Sequence, residues 1–387
     1  MRASSFIAGR LRFRGNLAMA SIAVSFLVMI SAVAISSGFK HSIRDGITAL
    51  TGDIQITRAD MDYLGGDKPV PSHLSFEDDL LSVKGVRSIS PAVYRAGIVK
   101  NGDILSGVLV KGVPGFNNDS TTLGVSIPLR LSEITGLGAG DDLTTYFVGD
   151  KMKVRKFHIV EVYRGALQTG SNLLVYADLS DMQRLNEWDE DEVSALEISL
   201  DRVSGMEAGR IVSTAGSMLL LSSVEEEQEL LATSSTKRYS RLFDWLNLLD
   251  FNVLFILGLM TVVAGFNMIS GLLILLFRNI ATIGTLKTLG MKDRSIASVF
   301  LRMSSVLVLK GMLIGNGVAL LFCLVQGTTH VLKLNPENYF VSYVPVHVDF
   351  IQIFAADAIS FAFIMLLLLL PSLFISRIDP ATTVRAK

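Results

Sequence analysis

The side chains that could do chemistry in this sequence are few and widely spaced. No G-x-x-x-x-G-K-[ST], H-E-x-x-H or G-x-S-x-G motif occurs, so the usual groups for phosphate binding, zinc-dependent hydrolysis or a serine nucleophile are missing. We therefore expect no catalytic residue, no metal site and no ATP hydrolysis by this chain alone. The histidines show no metal-ligand spacing; they are His41, His73, His158, His330 and His347.

Three polar or reactive side chains fall inside long apolar runs. Cys323 is the only cysteine, which excludes a disulfide within the chain, and its apolar surroundings favour a small buried side chain over a reactive thiol. Lys310 and Asp357 are ionisable groups within predicted spans, and such groups are functional candidates by default. Both are within snorkelling reach of an interface, and a mutual ion pair is the alternative. Gly311 and Gly315 form a G-x-x-x-G motif that allows close helix packing, within one chain or between two.

The composition places these residues in a membrane protein. Half of the 387 residues are hydrophobic and only 18% are charged, and about 20 apolar residues suffice to cross a bilayer. The predicted fold class is an α-helical membrane protein with four transmembrane helices and a large mixed α/β extracytoplasmic domain inserted between helices 1 and 2. The predicted segments are an interfacial helix with span one (1–40), the outer domain (41–247), span two (248–278), a cytoplasmic hairpin (279–297), span three (298–327), a short outer loop (328–349), span four (350–376) and a cytoplasmic tail (377–387).

The charges are segregated along the chain in a way that predicts its orientation. Residues 38–247 carry 21 Lys/Arg against 30 Asp/Glu, whereas the remaining residues carry 14 against 6. Positive flanks remain in the cytoplasm, so the N-terminal flank, the hairpin and the tail are predicted to be inside. The N-terminus also resembles a cleaved signal peptide, but the apolar run is long for that role and retention of the first helix is favoured.

The outer domain shows both strand-like and helical patterns. The acidic run Glu225–Glu229 is interpreted as a solvated face of a polar helix, 224–239, that leads into span two. Strands are predicted at 53–57, 158–163, 173–176 and 195–200, and helices at 179–188 and 204–220.

The most informative stretch is the hairpin between spans two and three. Ile283, Leu286 and Leu289 recur every three residues, which places them on one side of a short helix that Gly290 ends. Lys287 lies in the same turn. Apolar residues on a cytoplasmic hairpin predict either packing on the membrane domain of the same chain or docking on a partner.

This hairpin resembles the I-G-x-L-K-x-[LM]-G coupling helix of lipoprotein-releasing ABC permeases, within the MacB- and FtsX-like permease superfamily. The sequence departs from the family pattern at Arg278 and Asn279, where an acidic and then a basic residue are usual. Further similar segments occur in the family's order: Phe6–Arg10, Ser37–Phe39, Gly52–Ile56, Tyr339–Val346, Pro371–Ser372 and Arg377–Ala381.

The resemblance implies a function and a set of partners. It implies a permease of the bacterial inner membrane that pairs with a second permease chain, identical or homologous, and with a separate ABC ATPase that holds ATP and Mg²⁺. Lipoproteins would be extracted from the outer leaflet and passed to a periplasmic carrier, through a loop near 164–172. The predicted contacts with the ATPase are Ile283, Leu286, Lys287, Leu289 and Gly290, and the predicted lining for the lipid anchor is Val33, Phe39, Leu254 and Leu257.

Two other functions stay open at this point. One is a macrolide-exporter-type efflux permease that works with a periplasmic adaptor. The other is a transmembrane signal transmitter that controls a cell-wall enzyme, although an outer domain of this size counts against it. No cofactor bound by this chain and no nucleic-acid partner are expected.

Overall fold

The chain divides into two compact units. A computed structural model describes residues 16–61, 63, 68–116, 123–149, 152–165, 173–201, 205–335, 339 and 341–372. The membrane unit is formed from residues 1–40, 246–332 and 344–387, and the α/β unit from residues 41–245 and 333–343. The N-terminal opening, most of the expected carrier loop and the C-terminal tail lie outside the described residues.

The described residues contain four helices that are long and apolar enough to cross a membrane, as the apolar runs predict. These are α1, α8, α10 and the pair α11 and α12. In chain order the helices are α1 (Asn16–Thr51), α2 (Glu77–Leu81), α3 (Leu129–Thr135), α4 (Leu179–Asn186), α5 (Gly205–Leu221), α6 (Glu225–Gln228), α7 (Ser235–Arg238), α8 (Ser240–Arg278), α9 (Ile280–Thr288), α10 (Asp293–Thr329), α11 (Phe350–Leu367) and α12 (Leu369–Ser372).

Close packing of α1 against α10 forms the centre of the membrane unit. A Cβ at Gly315 would lie 2.4 Å from the carbonyl oxygen of Ala23, and one at Gly311 would lie 2.8 Å from the side chain of Ile22. Only glycine permits this approach, so the G-x-x-x-G motif joins two spans of the same chain. The surrounding core contains Phe26 of α1 and Met268 of α8, both almost fully buried.

The fourth span is interrupted near its end. Helix α11 stops at Leu367 and α12 resumes at Leu369. Pro371 explains the interruption, because a proline lacks the N–H that would bond to the residue four positions earlier and its ring clashes with that carbonyl. The fourth span predicted at 350–376 is thus described as one candidate membrane helix, Phe350–Ser372, with a break at Leu368.

The α/β unit is built around one curved sheet. Its strands are ordered β11-β1-β10-β3-β4-β8-β5-β7-β6, and a further pairing of β3 with β6 closes six of them into a ring. Closure removes exposed sheet edges, and the interior of so small a barrel is filled by side chains. Val99, Val110, Phe147 and Ile159 belong to that buried core. The strands are β1 (Ile54–Arg58), β2 (Val70–Pro71), β3 (Val86–Asn101), β4 (Ile104–Val113), β5 (Gly124–Pro128), β6 (Asp142–Phe147), β7 (Lys153–Tyr163), β8 (Leu173–Asp178), β9 (Glu192–Val193), β10 (Ala195–Leu200) and β11 (Leu230–Ser234).

The predicted polar helix over 224–239 is wrong. The segment forms the single turn α6, then strand β11 paired with β1, and then the short α7. Glu227 is buried rather than solvated, because its carboxylate accepts hydrogen bonds from the N–H and hydroxyl of Ser75, both at 2.6 Å, and from the hydroxyl of Ser222. Burial alone would raise the pKa of Glu227, but these hydrogen bonds hold it below its ordinary value.

Candidate functional site

The candidate site of the membrane unit is an apolar groove between α1, α8 and α11. Its volume is about 610 Å³. Three of the residues predicted to hold a lipid anchor, Val33, Leu254 and Leu257, line this groove together. On the facing helix α11, Ala356 and Ile359 complete the wall. Apolar side chains of this kind are suited to contact a hydrocarbon chain.

Phe39, the fourth residue predicted to line the site, does not do so. Its side chain is buried, with 9% exposed. The groove face of α1 carries Val33, Ser36, Ser37 and Lys40, which follow the i, i+3, i+4, i+7 spacing of one helix face. Phe39 falls on a different face of α1, and this part of the prediction is therefore wrong.

One end of the groove has a polar rim. The ammonium of Lys40 forms an ion pair with the carboxylate of Asp250, and the hydroxyl of Ser36 donates to the other carboxylate oxygen at 3.3 Å. Gln352 of α11 lies on the same lining. Sequence reasoning missed these residues, although a basic and an acidic residue at the facing ends of two consecutive spans could have indicated them.

Two segments that resemble the permease family meet near this rim. A Cβ at Gly38 would lie 2.4 Å from the carbonyl oxygen of Pro345, so the loop before the fourth span passes directly over α1. The N–H of His347 donates to the carbonyl oxygen of Ala34 at 3.0 Å. Together these contacts fix the loop against the end of the first span.

The hairpin predicted to couple to an ATPase consists of α9 and the turn into α10. Gly290 ends the helix with a φ of +83°, a conformation that favours glycine. The ammonium of Lys287 pairs with Asp293 across the turn at 3.0 Å, with only 10% of the Lys287 side chain exposed. Lys287 therefore stabilises the turn from within the chain.

The apolar side chains of the hairpin do not form one exposed face. Ile283 is fully buried in the core of the membrane unit, and Leu286 packs against the same core. Leu289 is the exception, with 77% of its surface exposed. Ile283 is therefore covered within this chain, whereas Leu286 is only partly buried and its contact with an ATPase stays a prediction.

Polar side chains inside the membrane unit join spans to each other. Asn316 donates to the carboxylate of Asp357 at 2.5 Å, which links α10 to α11, and Asn267 donates to the hydroxyl of Ser21 at 2.5 Å. Lys310 is exposed and makes no ion pair with Asp357 in the described part of the chain. The Asn316–Asp357 bond is therefore an intrachain contact between spans.

The described residues also contain no cluster of three or more His, Cys, Asp or Glu side chains suited to a metal ion. Cys323 is buried in α10. The reactive groups singled out from the sequence thus form no common centre among the described residues. A second groove of about 620 Å³ lies between α1 and α8, with Leu17, Val24 and Ile274 in its lining.

Comparison with known proteins identifies the class of the membrane unit. Residues 254–380 match the family model described as FtsX-like permease C-terminal. The chain therefore carries an FtsX-like permease domain, which includes the hairpin and the last two spans.

Similarity to curated proteins extends over nearly the whole chain. The lipoprotein-releasing system transmembrane protein LolC of Neisseria meningitidis serogroup B is 22% identical over 97% of this chain and 95% of its own length. LolC of Xylella fastidiosa strain Temecula1 is 21% identical with the same coverage. These matches confirm the resemblance to lipoprotein-releasing permeases, and the chain is LolC-like along 97% of its length.

Two solved structures of transporter domains are similar to about half of this chain. The periplasmic region of MacB from Actinobacillus actinomycetemcomitans matches 49% of this chain and 91% of its own, at 13% identity and a TM-score of 0.31. The extracellular domain of the noncanonic ABC-type transporter YknZ from Gram-positive bacteria matches 47% and 99%, at 10% identity and a TM-score of 0.31.

Proposed function

We propose that this chain is the permease subunit of an ABC-type complex in a bacterial inner membrane. A separate ATPase drives it to extract lipoproteins from the outer leaflet and deliver them to a periplasmic carrier. The observation that carries the proposal is the apolar groove between α1, α8 and α11, found in a chain similar to LolC proteins along 97% of its length. In this proposal the separate ATPase binds and hydrolyses ATP, and this chain does neither.

The charge distribution supports an orientation with the groove at the periplasmic end of the spans. The hairpin carries Arg278, Lys287, Lys292 and Arg294 against the single acid Asp293, and such positive segments remain in the cytoplasm. The polar rim of the groove lies at the opposite ends of α1 and α8, next in sequence to the acidic residues 41–245. This orientation places the α/β unit in the periplasm.

The energetics of extraction explain the need for such a groove. Each CH₂ that leaves the bilayer for water costs about 0.8 kcal/mol, so a multi-acyl anchor requires an apolar refuge as well as ATP. Leu254 and Leu257 provide apolar surface for the chains. The Lys40–Asp250 pair at the rim faces the zone where the polar linkage of the anchor would lie.

Coupling to the ATPase is proposed to occur through the exposed end of the hairpin. Leu289 is the apolar side chain that α9 leaves uncovered, and it is surrounded by small polar residues such as Thr285 and Thr288, both exposed. A single leucine on such a surface suits an apolar pocket on a soluble partner. A second permease chain, identical or homologous, completes the proposed complex.

Replacing Leu254 by Asp tests the proposal, with Phe255→Asp as its matched control. The two residues are exposed to the same extent, 66% and 65%, and adjacent on α8, so an acidic residue at either position costs about the same to insert. Only Leu254 lines the groove. We expect Leu254→Asp to leave lipoproteins in the inner membrane, whereas Phe255→Asp releases them, as measured by fractionation of inner and outer membranes.

The other functions predict different results in the same experiment. If depletion of the wild-type chain leaves lipoproteins at their normal destination but raises drug sensitivity, the chain is an efflux permease. Chaining cells with normal lipoprotein distribution would indicate control of a cell-wall enzyme. Equal release by the two Asp variants would show that the groove is not the site of the acyl chains.

A further inference from the structure

The C-terminal end of α1 is buried inside the α/β unit. Ile43, Ile47 and Leu50 are almost fully buried there. Gly52 then ends the helix with a φ of +70°, and its N–H bonds to the carbonyl oxygen of Thr48 at 2.7 Å. Because α1 runs unbroken from Asn16 to Thr51, the helix that contains the first span ends within the α/β unit.

Lys111 and Tyr94 of the sheet hydrogen-bond to the last carbonyl oxygens of this helix, and Glu197 contacts both of these side chains. The ammonium of Lys111 donates to the carbonyl oxygens of Ala49 and Leu50, at 3.0 and 3.1 Å. The hydroxyl of Tyr94 lies 2.7 Å from the carbonyl oxygen of Leu50. Lys111 also forms an ion pair with Glu197 at 2.8 Å, and the Glu197 carboxylate is hydrogen-bonded to Tyr94.

These three side chains, Tyr94, Lys111 and Glu197, are together called the socket. All are buried and stand on the neighbouring strands β3, β4 and β10. Burial raises the pKa of Tyr94 well above its ordinary value, so the phenol stays protonated and remains a donor. Burial also raises the pKa of Glu197, and the ammonium of Lys111 partly opposes that rise.

Burying the charged groups of the socket costs free energy, so stabilisation alone does not explain them. Helices leave their last carbonyls unpaired, and water or a following glycine turn normally satisfies them. A buried ion pair gains little net stability, because the cost of removing two charges from water offsets their attraction. A positive charge at a helix C-terminus does, however, fix that end in place through directed hydrogen bonds and the helix dipole.

We propose that Tyr94, Lys111 and Glu197 are positioning residues that hold the end of the first membrane helix rigidly in the sheet, so that displacement of this helix is passed to the α/β unit. The inference that these residues hold the helix end rests only on the hydrogen bonds described above. The transmission of movement rests on the proposed function, because it assumes an ATPase-driven cycle in the membrane unit.

A paired set of variants separates positioning from folding. Lys111→Met alone leaves Glu197 buried and unpaired, so we expect a lowered thermal midpoint. Adding Glu197→Gln removes the unpaired carboxylate, so the thermal midpoint should recover. The helix end in this double variant still lacks its hydrogen bonds to the Lys111 ammonium. A double variant of Lys156→Met with Asp142→Asn is the control, because it deletes an exposed ion pair of the same unit.

Amide hydrogen exchange in the full-length chain is the first readout. In the Lys111→Met/Glu197→Gln variant, residues 47–52 should exchange about tenfold faster than in the wild type, as expected for the loss of a charged hydrogen bond. Exchange in β3 and β4 should not change, and the control variant should behave as the wild type. Unchanged exchange at 47–52 would overturn the proposal.

Lipoprotein release per ATP hydrolysed is the second readout, in the complex with the ATPase. We expect the double socket variant to hydrolyse ATP normally but to release several times less lipoprotein per ATP. Normal release at a recovered midpoint would show that the socket has only a structural role. If the wild-type complex releases no lipoprotein, the proposed function fails, and the exchange measurement still decides whether the socket holds the helix.

Discussion

The contact between Gly315 and α1 gives a direct test of how the membrane unit is packed. A Cβ at this position would lie 2.4 Å from the carbonyl oxygen of Ala23 and 2.9 Å from the Cβ of Phe26. Carbon–oxygen contacts normally exceed about 3.3 Å, so in Gly315→Ala the two helices must separate by about 1 Å. Overpacking of this kind costs about 1–3 kcal/mol.

Cys323 provides the assay for this prediction. It is the only cysteine, it lies in the same helix, and it is 3% exposed, so a thiol-reactive fluorophore labels it only as the membrane unit unfolds. At about 2–4 °C per kcal/mol, Gly315→Ala should lower the midpoint of labelling by several degrees in detergent.

Gly317→Ala is the matched control for the same helix. A Cβ there meets no atom within 4 Å, and alanine is a better helix former than glycine. Its midpoint should equal or exceed that of the wild type. Equal midpoints for the two alanine variants would refute the close packing of α1 on α10.

Three further predictions follow from the exposed hairpin, the orientation and the buried acid. Leu289→Asp should cost about 3–5 kcal/mol of association with the ATPase, because it buries an unpaired charge, and a variant that still copurifies with the ATPase would contradict this contact. With Cys323 replaced by Ser, a cysteine at exposed Asp103 should label from the periplasm, and one at exposed Ser295 only after permeabilisation; labelling of both without permeabilisation would refute the orientation. Because the folded pKa of Glu227 is lowered, its stabilisation is present above the ordinary glutamate pKa of about 4.3 and is lost as the pH falls through the folded value. Thermal midpoints measured from pH 7 to 3.5 should therefore fall more steeply for the wild type than for Glu227→Gln, and parallel curves would argue against the hydrogen bonds described.

The sequence predicted the spans and most regular elements because their patterns are local. Long apolar runs indicate spans without knowledge of neighbours, and four appear among the described residues. The alternation at 195–200 likewise predicted β10. By contrast, the acidic run ending at Glu229 suggested a solvated helix, because Ser75, which donates two hydrogen bonds to Glu227, lies about 150 residues earlier.

Part of the candidate site was predicted because its residues belong to apolar spans that are recognisable locally. Val33, Leu254 and Leu257 were predicted as lining because they are apolar and lie at the outer ends of spans one and two, and the structure places all three in one groove. The three-residue spacing of Ile283, Leu286 and Leu289 was visible, but spacing alone does not say which residues turn towards the chain's own core.

The socket was missed although its signal was present. Lys111 and Glu197 each interrupt an otherwise apolar strand with opposite charge, in Val108–Val113 and Ala195–Leu200. A charge in a buried strand requires a partner, so the two residues could have been paired in advance. The pairing was missed because Lys111 and Glu197 lie far apart in the sequence.

The pairing of β1 with β11 has a consequence for how the α/β unit can vary. The chain enters the unit through β1 and leaves it through β11, and these strands are antiparallel neighbours in which Arg58 stands opposite Leu230. Paired strands lie about 4.8 Å apart, a gap that a two-residue hairpin turn can bridge. The stretch between Arg58 and Leu230 can therefore change in length without parting β1 from β11, provided that it keeps the partners of the α1 end on β3, β4 and β10. Insertions into the loops of the unit that leave these contacts intact can thus enlarge it while β1 and β11 stay paired at its base.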